Sequence, residues 1–148
     1  MNIHKILLVE ENEEISKMLK KHLTMGNYKI ICIADGQEAC RLFDSADFSL
    51  VLLDLMIPGN GMDVIRHIRK NSVAPIIILS SNGSDAVKTQ VFSLGADDFI
   101  TKPFSVEEVI ARIQANIRRV TQYVNLVSTA STVLSAGDLT MNYRVILF

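Results

Sequence analysis

The feature that most limits what this chain can fold into is an alternation of short, almost wholly apolar runs with segments of helical period. The runs lie at residues 6–9, 28–33, 50–53, 76–79 and 99–101. A strand with one wet face alternates polar and apolar side chains, so uniformly apolar strands mark a parallel sheet covered on both faces. Between the runs, apolar residues recur at three and four positions: Ile15, Met18, Leu19 and Leu23, then Ala39, Leu42 and Phe43, then Val64, Ile65 and Ile68, and last Val109, Ile110, Ile113 and Ile117. Capping chemistry frames these segments. Asn12 opens a helix that ends near Met25 at Gly26 and Asn27. Asp35 with Glu38, and Ser105 with Glu108, stand at capping-box spacing. Gly95 closes a helix over about 84–94 where a left-handed residue is wanted. The pattern predicts an α/β, doubly wound fold of five parallel strands and five helices.

Ligands of such sheets bind beyond the carboxyl ends of the strands. Glu10 and Glu11 follow the first run, Asp54 the third, Ser80 the fourth and Lys102 the fifth. Taken singly, each has an ordinary role: a solvated helix start, a turn or helix cap, a surface lysine. Chance would scatter them over both rims, and here all five share one. Three carboxylates crowded near a surface repel by about 1 to 4 kcal/mol per pair, so the cluster calls for a cation. Mg²⁺ suits it, because that ion takes one or two carboxylates, keeps waters and leaves room for phosphate oxygens. Asp54 is then a candidate nucleophile toward phosphorus, Lys102 a point charge for phosphoryl oxygens and Ser80 a hydrogen-bond donor to one of them.

The chain carries 15 basic and 16 acidic residues, a formal charge of −1. That balance gives no overall attraction to nucleic acid or an anionic membrane. Cys32 and Cys40 have no metal-binding spacing and read as free thiols of a reducing cytosol. The first apolar run meets Glu10 too soon for a signal peptide, and the uncharged stretch 120–137 is too rich in Ser, Thr and Asn to span a membrane.

The segments ILLVEEN, LVLLDLMIPG, IIILSS and GADDFITKPF together resemble the receiver domains of two-component response regulators. More narrowly, they resemble the OmpR/PhoB-like subfamily, whose receivers precede a winged-helix DNA-binding domain. The resemblance runs from about Lys5 to Arg119. It implies a flavodoxin-like strand order 2-1-3-4-5 with Asp54 as the phosphoacceptor. It further implies Mg²⁺ on Glu10, Glu11, Asp54 and the backbone carbonyl of Met56, with Ser80 and Phe99 as switch residues beside Lys102. In the family the bond before Pro103 is cis, whereas the base rate for X-Pro bonds, about 5 to 6% cis, alone gives trans. Glu11 stands where the family usually has Asp, and the loop at 58–61 is one residue shorter than usual.

The same resemblance implies phosphorylation by a histidine kinase, self-catalysed transfer and dephosphorylation rather than an enzyme's turnover, and homodimerisation in the cytoplasm. The dimer face would be the fourth helix, fifth strand and fifth helix, carrying Lys88, Asp97, Asp98, Glu108, Arg112 and Arg119. Lys88 with Glu108 and Asp97 with Arg112 are the expected intermolecular pairs. Residues 1–120 would form the receiver, 121–133 a linker, and 134–148 a short β extension beginning a winged-helix domain, with a hairpin turning at Asn142. That piece holds no recognition helix, so DNA would be reached through parts of the parent protein that are absent here. Two rivals are an atypical receiver that binds a protein partner without phosphorylation and an aspartyl-nucleophile phosphatase. The phosphatase is disfavoured, because Met56 occupies the place of its general acid.

Overall fold

The structure, a computed structural model, describes residues 3–131. The elements alternate without interruption: β1 (His4–Val9), α1 (Glu13–Met25), β2 (Tyr28–Ile33), α2 (Gly36–Ser45), β3 (Leu50–Asp54), α3 (Gly61–Arg69), β4 (Ile76–Ser80), α4 (Asp85–Leu94), β5 (Asp98–Thr101) and α5 (Val106–Ser131). All strand pairs are parallel and the order is β2-β1-β3-β4-β5, as the resemblance implies. Every residue of β3 and β4 is buried, as expected of strands covered on both sides.

Side chains on the strands alternate between two apolar layers. Leu7, Val9, Val51, Leu53, Ile76 and Ile78 pack with Ala39 of α2, Val64, Ile65 and Ile68 of α3, and Val91 of α4. Ile6, Leu8, Leu50, Leu52, Ile77, Leu79 and Ile100 pack on the other face with Leu19 and Leu23 of α1 and Val109, Ile113 and Ile117 of α5. The caps sit where the sequence puts them. Asn12, Asp35 and Ser84 accept from the backbone N–H groups of Ile15, Glu38 and Val87, and Ser105 accepts from that of Glu108. Gly95 closes α4 at φ +118°.

The loop before α3 has no slack. Asn60 caps the helix from a positive φ of 63°, and Gly36 N–H donates to the Pro58 carbonyl at 2.8 Å, tying the loop to the start of α2. A Cβ on Gly61 would lie 2.7 Å from the Leu55 Cα, so the first residue of α3 rests on the backbone that follows Asp54.

Several boundaries differ from expectation. β1 begins at His4 and β5 at Asp98, each slightly earlier than its apolar run. More consequentially, α5 continues to Ser131, through most of the stretch expected to be a linker at 121–133. Neither Gly nor Pro occurs between Val106 and Ser131, and adding a residue to a running helix costs far less than starting one, so uncharged Ser and Thr do not stop it. The hairpin expected at 134–148 lies outside the described residues. The Lys102–Pro103 bond is cis, as the resemblance implies and the base rate does not. Cys32 and Cys40 are free and half-buried, and burial pushes both thiols up from their ordinary pKa. Among the described residues no helix is long and apolar enough to cross a membrane.

Candidate functional site

Parallel strands of matched register end together, so Glu10, Asp54, Ser80 and Lys102 arrive at one rim. The Lys102 ammonium donates to Glu10 Oε1 at 2.7 Å and to Asp54 Oδ2 at 2.9 Å. The remaining carboxylate oxygens are held by backbone: Asn12 N–H donates to Glu10 Oε2 at 3.1 Å, and Met56 N–H to Asp54 Oδ1 at 2.9 Å. Glu10 is 3% exposed and Asp54 5%. Two buried carboxylates thus share a single cation.

Their protonation divides unequally. Burial raises the Glu10 pKa, and the adjacent Asp54 carboxylate adds to the rise against the pull of Lys102. Burial also pushes Asp54 upward, but Glu10, the Met56 N–H and Lys102 outweigh it and hold Asp54 below the ordinary carboxylate range. Of the two, Glu10 is the readier to take up a proton and Asp54 the more firmly ionised. Lys102 stays charged: desolvation works against its ammonium, and the two carboxylates overcome it. An ionised carboxylate, stripped of most of its water and fixed by two donors, has the character of a nucleophile.

Ser80 lies at the same rim, but its hydroxyl is engaged elsewhere, accepting from Asn82 N–H at 3.1 Å and lying 3.5 Å from the Asn82 carbonyl. Phe99 is buried in the layer shared with Val91 and Ile78, and the Lys88 ammonium lies 5.5 Å from its ring centroid. Glu11 is the expected site residue that does not join. Glu10 N–H still donates to the Ile33 carbonyl and so continues the ladder with β2, whereas Glu11 is exposed and makes no hydrogen bond to Asp54 or Lys102. Among the described residues no group of three or more Asp, Glu, His or Cys side chains is placed to hold a metal. The two carboxylates joined by the Lys102 ammonium are those of Glu10 and Asp54. Glu10, Asp54 and the Met56 carbonyl still fit Mg²⁺: all are hard oxygen donors, two of them anionic, and the ion completes its shell with water.

The six charged residues expected on the dimer face each have a partner within the chain. Arg112 donates to Asp98 at 2.9 Å and to Glu108 at 3.2 Å. Buried Asn116 donates to the second Asp98 oxygen at 3.2 Å and accepts from Arg119 at 2.7 Å. Asp97 accepts from Arg69 at 2.6 Å and from Ile76 N–H at 2.8 Å, with Arg119 at 3.8 Å. Within one chain, then, Arg112 engages Asp98 and Glu108 rather than Asp97, and Lys88 lies over Phe99 rather than beside Glu108. Sequence reasoning passed over Arg69 and Asn116. Asn116 carries a weak signal, a polar residue beside Ile117 on the buried side of α5, whereas Arg69 looks like any basic residue at a helix end.

Comparison with known families matches residues 6–114 to the response regulator receiver domain. Among curated relatives, the uncharacterized transcriptional regulatory protein YcbL of Bacillus subtilis is 44% identical over 118 residues, covering 79% of this chain and 52% of that protein. The chain spans 52 to 60% of the length of the first such relatives. Among solved structures, the beryllofluoride-activated N-terminal receiver domain of RstA from Klebsiella pneumoniae superposes with TM-score 0.74 at 29% identity, covering 78% of this chain and 99% of that one. The receiver domain of the sensor histidine kinase PA1611 from Pseudomonas aeruginosa, described with a magnesium ion coordinated in its active-site cleft, superposes with TM-score 0.72 at 28% identity, covering 78% of this chain and 98% of that one.

Proposed function

The chain belongs to the response regulator receiver domain family, a regulatory rather than a catalytic family, and on that premise we propose that Asp54 accepts a phosphoryl group from a histidine kinase. An Asp54 oxygen attacks phosphorus, the bond from phosphorus to the kinase histidine breaks, and the imidazole leaves with its electron pair. The product is an acyl phosphate on Asp54. The observation that carries this reading is geometric: the buried Asp54 carboxylate is fixed at the rim by the Met56 N–H and by the Lys102 ammonium at 2.9 Å, and Glu10 shares that same ammonium.

Each neighbour has a part. Lys102 passes from the Asp54 carboxylate to the phosphoryl oxygens, whose charge of about −1.5 to −2 it offsets. Ser80 gives up Asn82 to donate to one of those oxygens, and Phe99 fills the space behind it. Glu10, Asp54 and the Met56 carbonyl would hold Mg²⁺, with Glu11 beside them; when bound, the ion neutralises charge building on the phosphoryl oxygens. The consequence is homodimerisation through α4, β5 and α5 in the cytoplasm, controlling transcription by a longer protein that reaches DNA through its winged-helix part.

Intact-protein mass after treatment with a small acyl phosphate and Mg²⁺ tests the reading. One added phosphoryl group on the wild type and none on Asp54→Asn is the expected result. Equal masses before and after, or equal labelling of both proteins, overturns it in favour of the rival that binds a partner without phosphorylation. The exposure of Glu11 is the one observation on that rival's side.

A further inference from the structure

Arg69 is the most heavily bonded side chain away from the site. Its Nε donates to the Gly95 carbonyl at 2.9 Å, its Nη1 to the carbonyls of Ser72 at 3.2 Å and Ala74 at 2.8 Å, and its Nη2 to Asp97 at 2.6 Å. One guanidinium thus joins the end of α3, the loop before β4, the C-cap of α4 and the turn into β5. Its side chain is 20% exposed, against 50% for Arg66 one turn earlier. A Cβ on Gly95 would lie 2.7 Å from the Arg69 Cγ, so the glycine that closes α4 also makes the passage for this side chain.

The other end of the same helix rests on the backbone beside Asp54. Gly61 begins α3 in contact with Leu55, and Gly36 holds the intervening loop through Pro58. Nine residues separate nothing but helix, a rod of about 13 Å with Val64, Ile65 and Ile68 fixed in the apolar layer. The helix is thus seated on backbone at one end and, through Arg69, bonded to four acceptors at the other.

We propose that Arg69 is a positioning residue that carries displacement of the Asp54 loop through α3 to Asp97 and Gly95, setting the α4–β5 turn that a second copy of this chain meets. This rests on the reading of α4, β5 and α5 as the pairing face and adds a route separate from Ser80 and Phe99. Asp97 shows how the grip works. Its Oδ2 is taken by Arg69 and Ile76 N–H, which leaves Oδ1 turned toward Arg119 and fixes which oxygen the surface presents. Without Arg69 that carboxylate keeps only one anchoring bond, and the α4 C-cap loses its link to α3.

The test is a double-mutant cycle on Arg69→Met and Asp97→Ala in the full chain, reading dimer dissociation by sedimentation with and without beryllofluoride and Mg²⁺. Arg69→Met should weaken the beryllofluoride-dependent dimer by about tenfold, and the double variant should be no weaker than Asp97→Ala alone, as for groups acting through one contact. Backbone amide NMR supplies the reading that a merely structural role would not move. In Arg69→Met the beryllofluoride-induced shifts of the Gly95 and Asp97 amides should collapse, while those of Ser80 and Phe99 remain. Arg69→Lys, which keeps the charge and cannot span four acceptors, should fall between and covers the case in which the methionine variant does not fold. Additive losses, or unchanged Gly95 and Asp97 shifts in the variants, overturn the proposal. A wild type that gives no shift anywhere with beryllofluoride instead overturns the phosphoacceptor reading, so the two failures are distinguishable.

Discussion

The rim around Asp54 and the face of α4, β5 and α5 are built from the same groups, carboxylates set against Lys and Arg, and they use them in opposite ways. At the rim two buried carboxylates share one ammonium, leaving charge unbalanced in a place where imbalance is costly. On the face, Asp97, Asp98 and Glu108 meet Arg69, Arg112 and Arg119, with Asn116 filling the remaining bonds, half in water. The first arrangement stores a demand for another cation or for reaction. The second is settled, and whatever meets it must exchange partners rather than find free ones. On the proposed function, reactivity and recognition are separated by how completely the charges are matched, not by residue type.

The sharpest way to break the contrast is to remove the shared cation. Lys102→Met should destabilise the fold by about 3 kcal/mol at neutral pH in urea denaturation, since it strands two adjacent buried carboxylates. The loss should shrink on acidification. Glu10 has its folded-state pKa above its unfolded value, so the folded chain holds a proton there that the unfolded chain has released; that contribution is full in acid and is lost as pH rises through the raised value. Asp54, shifted the other way, contributes above the ordinary carboxylate range and loses that contribution as pH falls through its lowered value. A variant equally unstable at both ends of this range would show that the two groups are not paired as described.

A smaller effect is expected where the rim meets backbone. Gly61→Ala should cost about 2 kcal/mol in the same measurement, because the new methyl meets the Leu55 Cα rather than a flexible side chain. On the face the effect should be smallest. Arg112→Ala should cost less than about 1 kcal/mol, its guanidinium being 41% exposed and screened by solvent. A cost at Arg112 equal to that at Lys102 would erase the distinction between the two regions.

Much of this was legible in the chain before any coordinates. Asn12, Asp35, Ser105 and Gly95 announce helix ends by chemistry that acts within four residues, and the apolar runs announce strands because burial on both faces leaves no polar position. Asp54 and Lys102 were readable as a pair only because the fold class places all strand ends together. What escaped depends on contacts that local spacing does not encode. Arg69 reaches Asp97 across 28 residues, and nothing near either residue marks the bond. Glu11 lies one position past Glu10, yet Glu10 is buried and Glu11 exposed, and composition alone does not tell the two apart. The length of α5 escaped because a run of Ser, Thr and Asn resembles a linker in composition, while lacking the glycine or proline that would stop a helix.

The bond from Lys102 to Glu10 closes a span of 92 residues, the longest hydrogen-bonded span among the site residues. Contacts so distant along the chain form late, since loop closure must be completed before they give anything back. A partly folded chain, even one with β1 through β4 assembled, holds the Asp54 carboxylate without its cation. Lys102 follows β5, so on the proposed function competence to react arrives with the last strand, and uptake of label by Asp54 would report that the sheet is complete.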